Sequence, residues 1–160
     1  KNFQNRIWQG IYKQALLDER RVFERNVFAS DASLTAIKAA DDNMVHAEIA
    51  DAIKLQQRTF ENLKPPGEKG VLLINPPYGR RIENEDTLQL YKHIGDQLKQ
   101  KWAGYSAFII TSNFEAIKQI GLRPSFKKTV YNGQLECKFL KYELYEGSKK
   151  RKENDSNERV

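Results

Sequence analysis

Four consecutive residues, Asn75-Pro76-Pro77-Tyr78, carry the groups needed to activate an aromatic amine, and they directly follow the apolar run Val71–Ile74. An aromatic amine is a poor nucleophile because its lone pair is delocalised into the ring. Two acceptors that hold both N–H bonds can draw the nitrogen towards tetrahedral geometry. The side-chain oxygen of Asn75 is one such acceptor. The carbonyl of Pro76 can be the second, because consecutive prolines restrict the turn that presents it.

Tyr78 adds a flat face on which an extruded base can stack. No tuned general base is needed if the group donor carries a good leaving group such as a sulfonium, so positioning and electrostatics do most of the work. The alternative is a plain turn, since Asn, Pro and Gly are all common turn residues. The preceding apolar strand and the amphipathic helix that follows favour a functional site.

These residues must be held by a sheet, because ligands of open parallel sheets bind beyond the carboxyl ends of the strands. Strand and helix patterns alternate along the chain, which predicts an α/β fold with a mostly parallel sheet and helices on both faces. An Asn-Gly turn predicts a C-terminal hairpin that adds one antiparallel strand. The predicted elements are a helix over Trp8–Leu16, a buried strand Val27–Asp31, a helix capped by Ser33, a strand Ile53–Leu55, a buried strand Val71–Ile74, a helix over Leu88–Trp102, a buried strand Ala107–Ile110, a short helix Phe114–Ile120 and a hairpin turning at Asn132-Gly133.

Composition limits the class of protein. Of 160 residues, 39% are hydrophobic and the net charge is +6, which favours a polyanionic partner. No apolar run is long enough for a membrane span, so we expect a soluble protein, and the single cysteine favours a reducing, cytoplasmic setting. The single cysteine, Cys137, excludes an internal disulfide and is expected in the core rather than as a nucleophile. His46 and His93 have no second ligand at metal spacing, so no metal is expected.

The motif and its surroundings resemble the bacterial large-subunit rRNA guanine-N2 methyltransferases that carry a THUMP domain. The resemblance runs from about Phe3 to Tyr145 and rests on Asn75–Tyr78, Gly79-Arg80, Leu90-Tyr91, Thr111-Ser112 and Asn132-Gly133. It implies a Rossmann-like domain that uses S-adenosylmethionine to methylate guanine-N2 in large-subunit rRNA. It also implies that Asn75 through Tyr78 hold the target base, with Asn75 close to the cofactor as well.

The resemblance assigns further residues. Asp31 matches the acid that binds the ribose hydroxyls of the cofactor, although a helix cap is the alternative for this residue. Thr59 stands where the family often has an aspartate that contacts the adenine amine. Arg80 and Arg81 border the motif and are expected to bind the RNA substrate, and Lys127 and Lys128 are also well placed for RNA.

The glycine-rich first motif of the family is absent from this chain. The first strand and its cofactor loop would precede Lys1, so residues 1–147 look like a catalytic domain that is incomplete at its N-terminus. We expect an upstream THUMP-type domain in the same polypeptide. Residues 148–160 are polar and highly charged, which predicts a disordered tail.

Three other functions stay open for these residues. The same acceptors suit adenine-N6 in DNA or RNA and the amide of a protein glutamine, because each is a planar, delocalised amine. A non-catalytic RNA-binding module that kept the fold is the third alternative.

Overall fold

The computed structural model describes residues 2–19, 26–77 and 85–147. The chain divides into two compact units, Lys1–Thr59 and Phe60–Val160. None of the described helices is long and apolar enough to cross a bilayer.

The first unit contains a two-stranded parallel sheet and two helices. Its elements are α1 (Asn5–Asp18), β1 (Val27–Asp31), α2 (Leu34–His46), a 3-10 helix (Ala50–Ala52) and β2 (Ile53–Gln57). β1 and β2 pair in parallel from Val27 opposite Ile53 to Asp31 opposite Gln57. Ser33 caps α2 as predicted, because its Oγ accepts a hydrogen bond from the N–H of Ala36 at 3.3 Å.

The prediction that β1 is a buried strand is wrong for this unit. Val27 is 36% exposed and Phe28 is 42% exposed. A parallel strand is buried only when layers cover both of its faces. The sequence shows that the side chains of this run are apolar, but it does not show whether other elements cover them. The apolar stripe of α1 is likewise open, with Trp8 at 49% and Ile11 at 59% exposure.

The second unit is built on a four-stranded sheet. Its elements are a 3-10 helix (Phe60–Asn62), β3 (Gly70–Ile74), α3 (Glu85–Lys101), β4 (Tyr105–Thr111), a second 3-10 helix (Ala116–Ile120), β5 (Phe126–Asn132) and β6 (Leu135–Glu143). The strand order is β3-β4-β6-β5. β3 and β4 are parallel, whereas β6 is antiparallel to both of its neighbours. β5 therefore runs in the direction of β3 and β4, which confirms the predicted sheet with one antiparallel strand near the C-terminus.

The core of this unit lies between one face of the sheet and α3 with the second 3-10 helix. It contains Tyr91, Ile94, Leu98, Ala107, Ile109, Ala116, Ile120, Leu140 and Tyr142. Gly95 allows the close approach of the two helices, because a Cβ at this position would overlap the carbonyl oxygen of Ile120.

The predicted burial of Val71–Ile74 is only half right. Leu72 and Ile74 pack against the core, whereas Val71 and Leu73 are 66% and 73% exposed. Successive side chains of a strand point to opposite faces, and only one face of β3 is covered within this unit.

The C-terminal hairpin turns one residue later than predicted. Asn132 pairs with Leu135, so the two central residues are Gly133 and Gln134. Gly133 has a φ of 63°, and glycine with positive φ at the first central position is typical of a type II′ turn. Strand β6 keeps its register without a bulge and has buried residues on both faces, among them Cys137 and Leu140. The predicted core position of Cys137 is confirmed.

Candidate active site

The residues with the predicted amine chemistry lie at the carboxyl end of β3. The strand ends at Ile74, and Asn75 follows with an exposed side chain, whereas Pro76 is buried and Pro77 is exposed. The predicted turn, called the Asn75 turn, therefore begins with an exposed amide at Asn75 and a proline that is buried at Pro76. The remaining motif residue, Tyr78, and the predicted RNA contacts Arg80 and Arg81 lie outside the described residues.

The neighbouring strand supports this turn. Ile74 is opposite Ile109, and continuing that register places Pro76 beside Thr111. Thr111 is fully buried, and its Oγ1 lies 2.6 Å from the hydroxyl of Tyr91. Tyr91 belongs to α3, the helix that follows the turn in sequence. The hydrogen bond therefore ties the element after the turn to the strand beside it.

A second set of hydrogen bonds fixes the end of β4. The N–H of Asn113 donates to Thr111 Oγ1 at 3.0 Å, and the side-chain oxygen of Asn113 accepts from the N–H of Ala116 at 2.8 Å. The buried hydroxyl is thus shared between a side chain and the backbone. These hydrogen bonds hold together the end of β4, the strand that lies beside the end of β3.

Sequence analysis did not find this polar support. It placed Tyr91 within a predicted helix, and it otherwise used Tyr91 and Thr111 only as parts of a resemblance. A buried tyrosine hydroxyl usually has a hydrogen-bond partner. A tyrosine that is expected to be buried therefore indicates that a polar partner for its hydroxyl lies nearby. The partner lies 20 residues away along the chain, so local patterns do not identify it.

Asp31 lies at the carboxyl end of β1 in the first unit. Its Oδ1 accepts from the N–H of Ser33 at 2.7 Å, and its backbone carbonyl accepts from the N–H of Arg58 at 2.9 Å. Since Ser33 is the residue that caps α2, Asp31 is not the helix cap. Its other oxygen, Oδ2, makes no hydrogen bond to any residue in the described ranges. An exposed carboxylate oxygen at this end of the strand remains available for a ligand.

Thr59 lies at the same edge of the two-stranded sheet as Asp31. Gln57 pairs with Asp31, and Thr59 follows two residues later with an exposed side chain. The structure thus brings the two predicted cofactor residues of the first unit to one sheet edge. Asn75, the third, belongs to the second unit.

A protein-family model described as the RMKL-like methyltransferase domain, UPF0020, matches residues 2–141. The chain belongs to this family. The match extends over parts of both units and includes Asp31, Asn75 and all but the last two residues of the C-terminal hairpin.

Curated relatives and solved structures agree with the family match. A Synechocystis protein that carries the name of a candidate RNA methyltransferase, slr0064, is 39% identical over 145 residues, which are 90% of this chain and 38% of the relative. The ribosomal RNA large subunit methyltransferase K/L of Shewanella loihica is 35% identical over 129 residues, covering 80% of this chain and 18% of the relative. The crystal structure of SMU.472 complexed with SAH superposes with a TM-score of 0.77 at 22% identity, covering 92% of this chain and 39% of that one.

The α/β methyltransferase-like fold is confirmed, since this chain, which has a mixed sheet with an antiparallel C-terminal strand, superposes on SMU.472 over 92% of its length. The chain also spans less than two fifths of the length of these relatives.

Proposed function

We propose that this chain is the larger part of a catalytic domain that transfers a methyl group from S-adenosylmethionine to the exocyclic N2 amine of guanine in large-subunit rRNA. The observation that carries the proposal is the exposed Asn75 beside the buried Pro76 at the carboxyl end of β3, in a chain of a methyltransferase family. The name of the Shewanella relative, an rRNA large subunit methyltransferase, supports rRNA as the substrate.

Asn75 and Pro76 act on the target amine. The side-chain oxygen of Asn75 accepts one N–H of the amine, and the carbonyl of Pro76 accepts the other. With both N–H bonds held, the lone pair is aimed at the incoming methyl group. Because the buried ring of Pro76 holds the turn in place, little reorganisation is needed at the moment of reaction. Tyr78 stays in its predicted role as the surface on which the flipped base stacks.

The first unit offers a group that fits the cofactor. S-adenosylmethionine supplies an electrophilic methyl group on a sulfonium, together with a ribose that carries two neighbouring hydroxyls. A carboxylate suits these hydroxyls because it accepts from both. Asp31 is exposed at the carboxyl end of a parallel strand, with Oδ1 held by Ser33 and Oδ2 available. Thr59, at the same sheet edge, takes the position facing the adenine in this proposal.

The choice of guanine depends on contacts beyond the amine. Guanine offers a ring N–H donor and an O6 acceptor, whereas adenine offers only ring acceptors beside its amine. The guanidinium of Arg80 or Arg81 donates to O6 or to a neighbouring phosphate in this proposal. Either contact suits an RNA loop with a flipped base.

The test is a nucleoside map of rRNA from a strain that lacks the gene, compared with its parent by mass spectrometry. We expect one N2-methylguanosine of the large subunit to disappear and to return when the gene is restored. An rRNA map without any change would contradict the rRNA assignment. Loss of N6-methyladenosine instead would keep the amine chemistry and replace the base.

A further inference from the structure

We propose that the β5–β6 hairpin forms a second contact surface for the single-stranded RNA that flanks the target base. This inference rests on the proposed function for the identity of the nucleic acid. The surface, called the hairpin surface below, consists of Phe114, Lys127, Thr129, Tyr131 and Lys138.

The register of the hairpin places these strand residues on one face of the sheet. Thr129 is opposite Lys138, Lys127 is opposite the core residue Leu140, and Lys138 is in turn opposite Thr111 of β4. Directly opposed residues of antiparallel strands share a face. β5 is the edge strand of the sheet, and Lys127, Thr129 and Tyr131 are all exposed there. The core face of the sheet therefore continues into an open surface on β5.

One exposed aromatic ring contacts a positioned lysine on this surface, and a second lies on the same face of the hairpin. The Nζ of Lys138 lies 5.1 Å from the ring centroid of Phe114 and donates to Thr129 Oγ1 at 2.8 Å. Phe114 is 40% exposed and Tyr131 is 69% exposed. Exposed aromatics beside a cation are the usual means of binding single-stranded nucleic acid, since bases stack on the rings and phosphates meet the charge.

The charges of the hairpin favour a polyanion over another protein strand. Lys138 pairs with Glu136 at 2.6 Å, which leaves its ring contact in place but offsets its charge. Lys127 and Lys128 make no ion pair with any described residue, so the edge strand carries net positive charge. Lysines on an edge strand oppose strand addition by a second chain. The same lysines attract phosphates.

Phe114, Tyr131 and the Thr129–Lys138 pair of the hairpin surface lie towards the same sheet edge as the Asn75 turn. β3, β4 and β5 run in one direction, so their carboxyl ends lie at the same edge of the sheet. Asn75, Thr111 and Tyr131 lie at or next to these carboxyl ends. The order β3-β4-β6-β5 separates the outer strands by three spacings of about 4.8 Å, or about 15 Å in total. RNA with its target base at Asn75 can reach Phe114 and Tyr131 with the nucleotides next to that base.

The experiment uses the full-length protein and a fluorescent single-stranded rRNA fragment, with affinity measured by anisotropy in the absence of cofactor. Base stacking contributes about 1–3 kcal/mol per base, so Phe114→Ala and Tyr131→Ala should each raise the Kd for RNA about tenfold. Lys127→Ala should also lower the slope of log affinity against log salt by about 0.7, the value for one phosphate of a single strand. The methylation rate at saturating RNA and the Kd for S-adenosylmethionine should stay unchanged.

Tyr145→Ala and Lys69→Ala are the matched controls. Tyr145 is 56% exposed and follows β6, and Lys69 is exposed and precedes β3, so both lie at the opposite edge of the sheet. These variants should bind RNA like the wild type.

An RNA affinity that is unchanged in Phe114→Ala and Tyr131→Ala would overturn the hairpin surface while leaving methylation and the proposed function intact. A changed oligomeric state with unchanged RNA affinity would assign the surface to a protein contact, which also overturns the inference. If the wild-type protein methylates no RNA, the proposed function fails. In that case weaker RNA binding by the two aromatic variants would still support the hairpin surface.

Discussion

The hydroxyl of Tyr91 lies 2.6 Å from Oγ1 of Thr111 in the interior of the second unit. Tyr91 belongs to α3, the helix that follows the Asn75 turn in sequence. Thr111 is the last residue of β4, the strand that lies beside this turn. The two elements next to the candidate catalytic residue are thus connected by one buried hydrogen bond. A catalytic turn that works by positioning needs such a fixed support.

Tyr91→Phe tests this support. The change removes the hydroxyl and keeps the ring, so the free energy of unfolding should fall by about 1–2 kcal/mol. Urea denaturation of the full-length protein measures the effect, and the methylation rate should fall with it because the turn loses its anchor. Tyr145→Phe, at an exposed tyrosine, is the control and should change neither quantity. Equal stability and activity in both variants would show that the hydrogen bond supports nothing.

Gly95→Ala tests the contact between α3 and the second 3-10 helix. The added methyl group would overlap the carbonyl of Ile120, and overpacking of this kind costs about 1–3 kcal/mol. Gly10→Ala is the matched control, because Gly10 lies within α1 and a Cβ there has no neighbour within 4 Å. Alanine also favours a helix over glycine by about 0.5–1 kcal/mol. Urea midpoints should therefore fall for Gly95→Ala only, and a fall of equal size in both variants would contradict the packing.

Asp31→Asn tests the cofactor assignment. The amide oxygen of asparagine can still accept from the N–H of Ser33, so the local fold should persist. The second oxygen becomes an NH₂ donor that cannot accept from a ribose hydroxyl. Hydrogen bonds to charged groups contribute about 1.5–3 kcal/mol, so calorimetry should show the Kd for S-adenosylmethionine raised about 10–100-fold. The control is Asp41→Asn, at an exposed position of α2, which should bind S-adenosylmethionine like the wild type. If Asp31→Asn also binds S-adenosylmethionine like the wild type, the assignment of Asp31 is wrong.

Local features of the structure were predictable from the sequence. The cap at Ser33 and the strand that ends before Asn75 depend on neighbouring residues only, and both are confirmed. The hairpin was predicted, but its turn falls on Gly133-Gln134 because cross-strand register, set by the whole of β5 and β6, decides which residues lie in the loop.

Long-range features were not predictable. Val71 and Leu73 are as apolar as Leu72, yet they are exposed, because burial depends on what covers each face of the sheet. The pairing of Tyr91 with Thr111 joins residues 20 positions apart and leaves no local signature. The position of Asn75 at the end of a parallel strand was predictable, whereas the support that holds it in place was not.

The central claim is that the side chain of Asn75 accepts a hydrogen bond from the exocyclic amine of guanine. The most direct measurement is transfer of tritium from labelled S-adenosylmethionine to protein-free large-subunit rRNA and to duplex DNA, followed by nucleoside digestion. The full-length wild-type protein should place the label in N2-methylguanosine of the rRNA. Asn75→Ala should lose on the order of 100-fold or more of the rate while its cofactor Kd changes little, since in the proposed function the side chain holds the amine rather than the sulfonium. Asn43→Ala, at an exposed position of α2, should transfer label like the wild type. Label in N6-methyladenine, or near-normal transfer by Asn75→Ala, would contradict the claim.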